Sequence, residues 1–485
     1  MIKMSNHEFT KQKRNQLEMY SLEDLVPQNH LLRKVDQVFD LSFIYDLVKD
    51  RYSIDNGRPS IDPVILIKIV LIQHLFGIKS MRQTIKEIES NFAYRWYLGL
   101  GVMDKVPHFS TFGKNYVRRF DDNNLFNEIF ERILETAKEN DLVDNTSLFI
   151  DSTHIKANAN KNKYEKVEVE KTAKHYQDEL EKEINEIREA EGKKPLKLKE
   201  EKETKTIKVS TTDPEAGYYV KSEREKQFAY SGHVCCDKNG WVVDLHVTPG
   251  NIHDSTQLPV MIDRLEIKGL LPRYLAVDAG YKTPHNAKYV LEKYIFPVMP
   301  YKRPAGPKDL MNKKKFVYDE AFDVYICPNN QLLEYKRTDS DGYRLYMSDP
   351  QMCRECPLLN VCTKSQNHTK VITRHIWQDE LDIAEDLRFV DTIKEIYRLR
   401  SQTIERRFAD AKEQHGLRWT RFRGIKKVTM ETTLIFACMN LKKMANFLVP
   451  DQEVASNNYD CKSIFFIFRR KRKDKPIFKM SLSTV

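Results

Sequence analysis

The stretch SLFIDSTHIKA (residues 147–157) decides the fold class of this chain, together with RYLAVDAGY (residues 273–281). In each, an apolar run leads into a carboxylate, Asp151 in the first and Asp278 in the second. Short apolar runs bounded by turn residues predict buried strands. If the strands are parallel neighbours, both carboxylates emerge side by side at the carboxyl end of the sheet, where ligands bind in α/β proteins. A single Asp in this position also serves as a turn residue, so only the pair points to a site.

The segments around these strands predict an α/β domain. Residues 228–251 read as two strands joined by a turn at residues 237–240, where Asn-Gly is a strong hairpin signal. A helix near residues 256–265 follows, and after Asp278 come a helix at residues 284–294 and the strand IFPVMPY. Strands followed by strand–helix alternation predict a mixed sheet with helices packed on it.

Two other aspartates have simpler local interpretations. Asp254, in GNIHDST, fits a helix N-cap. Asp213, in TTDPEAG, fits a turn before Pro214. We therefore assign neither to a candidate site.

Residues 1–135 are predicted to form a helical N-terminal domain, from the periodicity of their apolar residues. The run VILIKIVLIQHLF (residues 64–76) is too short to span a bilayer and contains Lys68 and His74, so a buried helix is expected. Ser80 is placed to cap the next helix.

A short basic helix is predicted within PHFSTFGKNYVRRF (residues 107–120), with Ser110 as its cap. Two short helices, a Gly-containing turn and a basic final helix are typical of helix-turn-helix DNA readers. A plain helical bundle with a solvated basic face would give the same pattern. The candidate DNA-binding residues here are Lys114, Arg118 and Arg119.

Two insertions are predicted to interrupt the α/β domain. In residues 161–208, rich in Lys and Glu, apolar residues spaced three and four apart from Val169 to Ile187 predict a helical hairpin or short coiled coil. A mostly solvated charged helix is the alternative. In residues 302–374, the pair Cys353-x2-Cys356 resembles a zinc knuckle.

Four cysteines of the second insertion could complete a structural zinc site: Cys327, Cys353, Cys356 and Cys362. A four-thiolate site leaves no open position for catalysis, and free thiols are the alternative. We expect the cysteines to be reduced, because the N-terminal residues contain no apolar signal-peptide segment. The other cysteines lack ligand spacing, and Cys235, Cys236 and Cys438 are read as core residues.

Positive charge is concentrated in two places along the chain. Residues 397–427 hold ten Lys or Arg against three Asp or Glu, and residues 461–479 hold eight against one. Each segment therefore has a surplus of seven positive charges. Because the whole chain has a net charge of +10, the remaining residues carry about −4. Such localised charge favours a polyanion-binding surface, and we expect no membrane association.

Residues 397–416, YRLRSQTIERRFADAKEQHG, predict a helix in which Glu405 lies among cations. Positions seven apart nearly coincide in direction on a helix, so Arg398, Glu405 and Lys412 should line one face. A surface ion-pair ladder would explain this pattern. A metal-binding glutamate that works on phosphate would explain it as well, because Asp151 and Asp278 could supply the other oxygen ligands for a hard divalent ion.

The next segment, GLRWTRFRG (residues 416–424), alternates aromatic and basic residues. Such a mixture suits phosphate gripping combined with base or sugar stacking. Its candidate DNA-binding residues are Arg418, Arg421 and Arg423.

Together these motifs resemble the bacterial insertion-sequence transposases of the DDE class, and are closest to the branch with a Tyr/Arg/Glu/Lys signature and a cysteine-bearing insertion. The likeness covers most of the chain. It rests on GRPSIDPVILIKIVLIQHLFGIKSMRQ, FIDSTHIKA, TPGNIHDS, LAVDAGY, the Cys-x2-Cys-Pro insertion, and IERRFADAKEQHGLRWTRFRG with FACMNLKKM.

The resemblance implies a ribonuclease H-like catalytic domain at residues 145–450. In it, Asp151, Asp278 and Glu405 would bind Mg2+ or Mn2+, as two ions. The implied reaction is cleavage at transposon ends followed by attack of a 3′-hydroxyl on target DNA. The implied partners are DNA and further copies of the chain, as a homodimer or higher oligomer, in the bacterial cytoplasm at the nucleoid.

The signature residues match this family with one departure. Lys412 follows Glu405 at the family spacing, Glu-x6-Lys, which implies that it contacts phosphate at the transposon end. Tyr397 and Arg400 match Tyr-x2-Arg and are further candidate DNA-binding residues, as is Arg398. Four residues separate Arg400 from Glu405 where the family has three. This spacing puts Arg400 off the Glu405 face of a continuous helix and makes Arg398 a geometric competitor for its role.

Two other functions fit the sequence less well. A catalytically inactive, transposase-derived DNA-binding protein would bind end sequences without cutting them. In a zinc-stabilised interaction protein, the basic segments would have no part in binding the partner. The basic tail at residues 451–485 extends beyond the family's usual end, as an extra DNA contact, a frameshift product or simply solvated charge.

Overall fold

The computed structural model describes residues 16–52, 60–115, 119–120, 124–170, 176–196, 204–223, 225–302 and 309–450. Arg118 and the tail at residues 451–485 therefore lie outside the described residues. The described residues fall into two compact units. One comprises those within 1–136 and 437–485, and the other those within 137–436.

The N-terminal residues are helical where the structure describes them, as the sequence predicts. Ser80 caps the fifth helix as expected, because its hydroxyl accepts the Gln83 N–H at 3.2 Å. The α-helices are α1 (Leu22–Leu25), α2 (Leu31–Val38), α3 (Phe43–Val48), α4 (Pro63–Leu75), α5 (Met81–Ser90), α6 (Phe92–Leu98), α7 (Phe109–Asn115) and α8 (Leu125–Glu139).

Helix α4 is the buried helix that the apolar run predicts. The Asp62 carboxylate caps it by accepting the Val64 N–H at 2.7 Å, and Pro63 occupies the first helical position, where no N–H is needed. Nine of its 13 residues are buried. None of the helices in the described part of the chain is long and apolar enough to cross a membrane.

The predicted cap of α7 is wrong by two residues. The helix begins at Phe109, and it is the His108 imidazole that accepts the Ser110 N–H, at 3.3 Å. Imidazole nitrogen and serine hydroxyl are alternative acceptors for the first free N–H groups of a helix, so the sequence alone did not separate them. Lys114 lies on α7, and Arg119 donates to the side chain of Asn115 at 2.7 Å.

The second unit combines three sheets with helices. Its strands are β1 (Ser147–Lys156), β2 (Tyr164–Glu170), β3 (Thr204–Ser210), β4 (Gly217–Val220), β5 (Lys226–Asp237), β6 (Val242–Pro249), β7 (Tyr274–Ala276), β8 (Phe296–Val298), β9 (Val317–Asp319), β10 (Val324–Ile326), β11 (Leu332–Thr338), β12 (Tyr343–Ser348) and β13 (Val371–His375). The helices after α8 are α9 (Gln177–Ala190), α10 (Leu258–Ile267), α11 (Pro284–Glu292), α12 (Pro350–Arg354), α13 (Leu359–Cys362), α14 (Gln378–Leu387), α15 (Asp391–Gln402), α16 (Ile404–Gln414) and α17 (Ile425–Leu448).

The central sheet is mixed, which confirms the predicted α/β class. Its strands follow the order β4-β5-β1-β7-β8, with β6 also paired to β5. Strands β1, β7 and β8 are parallel, whereas β5 is antiparallel to both β1 and β6. The predicted hairpin joins β5 to β6, and the Asp237 carboxylate secures its turn by accepting the Trp241 N–H at 2.7 Å.

The prediction for the first insertion is wrong in its first half. Val169 lies on β2, which pairs with β3 in an antiparallel ribbon, so no helical hairpin forms among the described residues. The signal missed was the alternation of Val and Glu in KVEVE, which has the two-residue period of a strand. The second half is helical, and Leu180 and Ile184 of α9 are buried against Trp377.

The second insertion contains a separate five-stranded antiparallel sheet, in the order β13-β12-β11-β10-β9. Its small core is mostly aromatic, and Cys327 and Cys362 pack against that core. The core residues are Phe316, Tyr325, Leu333, Tyr346 and Ile372.

Candidate active site

Asp151 and Asp278 lie side by side, as the sequence predicts. The last parallel pair of β1 and β7 joins Phe149 to Ala276, and each aspartate follows that pair by two residues. Asp151 does not end its strand, however. Strand β1 continues to Lys156 because β5 pairs with it along that length, which corrects the predicted strand end.

Local backbone groups orient both carboxylates. The Ser152 N–H donates to Asp151 Oδ1 at 2.9 Å, and the Gly280 N–H donates to Asp278 Oδ1 at 2.8 Å. Burial raises the pKa of Asp151 to about 6, although the Arg400 guanidinium lowers it. The negative charge of Asp278 adds to the rise. Two neighbouring carboxylates repel each other unless a cation or a proton lies between them.

The signature segment is not one helix. Helix α15 ends at Gln402 and α16 begins at Ile404, with Thr403 between them at φ −104° and ψ −90°. The Thr403 hydroxyl donates to the carbonyl oxygen of Leu399 at 2.8 Å. This bond to the preceding turn is one that Ser and Thr offer in competition with regular helix geometry. The predicted continuous helix across residues 397–416 is therefore wrong at Thr403, and it also ends at Gln414, two residues early.

The break at Thr403 reverses the prediction for Arg400. Its Nη1 lies 2.8 Å from Glu405 Oε1, and its Nη2 lies 2.5 Å from Asp151 Oδ2. Arg400 thus joins two of the three candidate ligands, whereas Arg398 is exposed on α15. The expectation that Arg400 is off the Glu405 face was wrong, because it assumed an unbroken helical register.

The charges of this site shift the pKa values of two other signature residues. Tyr397 is half-buried, and its pKa is raised by burial and by the charges of Asp278, Glu405 and Asp151, against a lowering by Arg400. The pKa of Lys412 is lowered by burial and by neighbouring cations, with Asp151 opposing the shift.

Two of the candidate carboxylates already share one cationic partner. Asp151 and Glu405 converge on the Arg400 guanidinium, a cation that stands in for a metal ion. The Glu405 side chain is 51% exposed, so the site opens to solvent. In the described part of the chain no three His, Cys, Asp or Glu side chains are yet close enough to hold a metal. Metal binding therefore requires the carboxylates to draw together.

The aromatic and basic segment forms what we call the basic loop (residues 416–424), which is attached to the end of β1. The Lys156 N–H donates to the Arg418 carbonyl at 3.1 Å, and the Thr420 N–H donates back to the Lys156 carbonyl at 2.9 Å. Asn158 Nδ2 donates to the Arg421 carbonyl at 2.7 Å. The candidate DNA-binding side chains Arg418, Arg421 and Arg423 are all exposed.

Trp419 is 49% exposed, and the Arg421 guanidinium lies 5.3 Å from its ring centroid. The five steps along β1 from Asp151 to Lys156 span about 17 Å, at roughly 3.3 Å per residue. The basic loop is therefore a second cationic surface at a defined distance from the carboxylates.

Glu431 on α17 interacts with Thr420 and Arg421 of the basic loop. Burial raises the pKa of Glu431 to about 7, against the lowering effects of a Thr420 hydrogen bond and the Arg421 charge. A carboxyl with a raised pKa supports folding at low pH, and that support is lost as pH rises through 7.

We expect Glu431→Gln to remove this loss, which amounts to up to about 3 kcal/mol in the free energy of unfolding between pH 5 and pH 8. Urea unfolding at both pH values would measure it. The exposed Glu395→Gln change is the control and should leave the wild-type pH dependence intact. The expectation is contradicted if Glu431→Gln and wild type lose equal stability.

Two aspartates have more contacts than the sequence suggested. The cap of the 3-10 helix Asp254–Gln257 is His253, not Asp254. Asp254 Oδ1 instead lies 3.8 Å from the buried His233 Nδ1, and its charge contributes to the raised pKa of Asp151. Asp213 lies in the predicted turn, but its side chain is buried and also binds the end of the basic loop. No spacing in the sequence signals either contact.

The four cysteines of the second insertion surround one cavity, although no three of these described residues are close enough in this structure to hold a metal ion. Cys327, Cys353, Cys356 and Cys362 all line one cavity of about 20 Å³. The Gln331 N–H donates to Cys327 Sγ at 3.3 Å. Whether this group binds zinc remains a prediction.

Comparisons with known proteins agree with the resemblance. A family model described as "Transposase domain (DUF772)" matches residues 20–118, and one described as "Transposase DDE domain" matches residues 326–445. The second match includes Glu405, Lys412 and the basic loop, whereas Asp151 and Asp278 lie outside both. The curated proteins contain no match. A transposase domain near the start of the chain and a DDE transposase domain near its end together support an insertion-sequence DDE transposase.

Proposed function

We propose that the chain binds the terminal inverted repeats of its insertion sequence, cleaves the DNA there and joins the ends to target DNA by two-metal phosphoryl transfer. The observation that supports this best is the arrangement of Asp151, Asp278 and Glu405. Two of them share one cation and the third lies beside them. These are the candidate catalytic residues and the candidate Mg2+ or Mn2+ ligands.

We infer that the catalytic domain has a ribonuclease H-like core. The strand order β6-β5-β1-β7-β8, with β5 antiparallel to its neighbours and β1, β7 and β8 parallel, supports this inference. The branch with the Tyr/Arg/Glu/Lys signature is supported by the contacts of Arg400 with Asp151 and Glu405. It is also supported by the influence of the Asp151 charge on the pKa values of Tyr397 and Lys412.

In the proposed mechanism each part of the site has a separate task. Two divalent ions, when bound, would activate the attacking hydroxyl and stabilise the leaving oxygen. Asp151, Asp278 and Glu405 would hold the ions, and Lys412 would neutralise a phosphate of the transposon end. The basic loop would grip the same duplex about five base pairs away, since each pair advances the helix by roughly 3.4 Å.

The N-terminal unit and the partners follow from the same proposal. Lys114 and Arg119, with Arg118 between the described segments, would contact DNA as part of a helix-turn-helix reader. The chain would act as a homodimer or higher oligomer on DNA, in the bacterial cytoplasm at the nucleoid.

DNA binding should depend on salt through identifiable residues. We expect Lys412→Ala and Arg421→Ala each to lower the slope of log affinity against log salt by about one, because each removes one phosphate contact. Gel-shift titrations with the inverted repeats that flank the coding region would measure this. Lys394→Ala is the matched control, because Lys394 is exposed on α15 and already paired with Asp391.

The proposal fails at this step if the wild-type chain shows no preference for the flanking repeats over scrambled DNA. Binding to those repeats without cutting in either metal would instead identify an inactive, transposase-derived DNA-binding protein.

We also propose that Cys327, Cys353, Cys356 and Cys362 bind one structural Zn2+. Their cavity of about 20 Å³ holds roughly one water-sized particle and excludes a larger ligand. The backbone N–H on Cys327 Sγ suits a thiolate. Lys370, whose ammonium donates to the Met311 carbonyl at 2.9 Å, lines the same cavity and would offset the negative charge of four thiolates around one Zn2+.

The purified chain should therefore contain about one zinc per chain by elemental analysis, and Cys353→Ser should lose it. Cys438→Ala, at a buried cysteine outside the cavity, should keep it. A wild-type zinc content near zero after preparation in zinc-containing medium would contradict this proposal.

A further inference from the structure

Arg400 occupies the space between two candidate metal ligands. Its two terminal nitrogens bind Asp151 Oδ2 and Glu405 Oε1 separately, at 2.5 and 2.8 Å. The Arg400 and Asp151 side chains are only 12% and 14% exposed. This is a bridging contact in which one planar guanidinium links carboxylates from two different elements, β1 and the start of α16.

The bridge and a metal ion are mutually exclusive. The oxygens that face Arg400 belong to the same carboxylates that would have to face a divalent ion. A guanidinium and a metal ion cannot both lie between the same two carboxylates, because their charges repel and they compete for the same lone pairs. Metal binding at Asp151 and Glu405 therefore requires Arg400 to leave.

Arg400 is incompletely satisfied where it lies. Its Nε is buried and has no hydrogen-bond partner. Buried arginines with a permanent structural role normally have their donors paired. The break at Thr403 follows Arg400 by three residues, so the last turn of α15 ends just beyond it. These features suit a side chain that exchanges between two positions.

We propose that Arg400 is a positioning residue that holds Asp151 and Glu405 together in the absence of metal and is displaced when a divalent ion binds. This inference rests on the proposed function, since it requires the triad to bind metal. The guanidinium would keep the two carboxylates from repelling each other and preserve the site's shape. It would also lower the affinity of the chain for metal.

The size of that effect follows from the population of the bridged state. If the bridge is present in about nine molecules in ten, the apparent affinity for metal falls about tenfold, because only the open fraction is competent to bind. Removing the bridge should restore that factor.

The test is a titration of the full-length chain with Mn2+ in the absence of DNA. The electron paramagnetic resonance signal of free Mn2+ measures how much metal remains unbound. We expect Arg400→Gln and Arg400→Lys each to bind Mn2+ about tenfold more tightly than wild type. Arg398→Gln is the matched control, since Arg398 is exposed on the same helix, and should bind as wild type does. Asp278→Asn should bind Mn2+ much more weakly.

The lysine variant separates bridging from charge. Lysine keeps the positive charge but is a point charge that cannot reach two carboxylates with a planar fork. The contrary result is that Arg400→Gln binds Mn2+ more tightly while Arg400→Lys binds it as wild type does. In that case the positive charge alone explains the weak metal binding of wild type, and the proposed bridge is wrong. Unchanged or weaker binding by both variants also overturns it.

Thermal unfolding gives a second measurement. Without metal, Arg400→Gln should unfold at a lower temperature than wild type, and Mn2+ should raise its midpoint by more. An equal rise in the two proteins contradicts the bridge, and Arg400→Lys serves the same comparison if Arg400→Gln does not fold.

Should wild type bind no Mn2+ even at millimolar concentration, the proposed metal site fails. If wild type binds Mn2+ and Asp278→Asn does not, that site stands whatever Arg400 does.

Discussion

Asp278→Asn is expected to reduce metal-dependent cleavage of transposon-end DNA by more than about 100-fold. Even residues that only orient metal ligands contribute about 10- to 100-fold, and Asp278 is proposed to be a ligand itself. The Asn side chain still offers an oxygen to the Gly280 N–H, so the turn after β7 should keep its shape. The measurement is the rate of end cleavage in Mg2+ and in Mn2+, with DNA affinity measured alongside.

The controls distinguish the site from its surroundings. Glu405→Gln should also lose cleavage, because it removes another proposed metal ligand. The Glu405 side chain is 51% exposed, so this change should not disturb the core. Asp391→Asn should cleave normally, since its side chain is 93% exposed at the start of α15. Cleavage by Asp278→Asn within about twofold of wild type would contradict the assignment of the triad.

Asp213→Ala should strongly destabilise the fold around the basic loop. Asp213 is 1% exposed, and its Oδ1 accepts the Tyr230 hydroxyl at 2.8 Å and the Gly424 N–H at 3.1 Å. Alanine would leave both donors without their acceptor, at a cost of about 2–5 kcal/mol in the free energy of unfolding. Urea unfolding measures the loss, and the affinity for end DNA should fall with it because the loop is no longer secured.

Asp213→Asn is the matched variant, because its amide oxygen can still accept from both donors. It should lose less than half as much stability as the alanine variant. Equal losses in the two variants would mean that the negative charge, rather than these hydrogen bonds, secures the basic loop.

The α/β class and the pairing of Asp151 with Asp278 were predictable from the sequence. Both depend on local patterns, namely apolar runs bounded by turn residues, and on the rule that parallel strands present their carboxyl ends together. The Asn-Gly hairpin after β5 and the cap at Ser80 are local in the same sense. Each needs only a few neighbouring residues to specify its geometry.

The position of Arg400 was not predictable, because it depends on a single backbone conformation at Thr403. A helix wheel assumes one rotation of about 100° per residue, and one break shifts every later residue relative to every earlier one. Threonine occurs within helices as well as at breaks, so its identity does not signal which will happen.

The roles of Asp213 and Asp254 were hidden for a different reason. A carboxylate near Ser, Thr or Pro fits turns and caps wherever it occurs. Only the tertiary structure reveals that Asp213 reaches Gly424, more than 200 residues away in the chain. The strand at Val169, by contrast, was signalled by the Val-Glu alternation and was missed because helical spacing also fitted.

The most direct test of the account is strand transfer by the purified chain on DNA that carries the inverted repeats flanking its coding region. In Mg2+ or Mn2+, the chain should cut at the repeat ends and join them to target DNA, whereas Asp278→Asn should bind the same DNA and yield neither product. Absence of cleavage and joining by the folded wild-type chain in both metals would contradict the account.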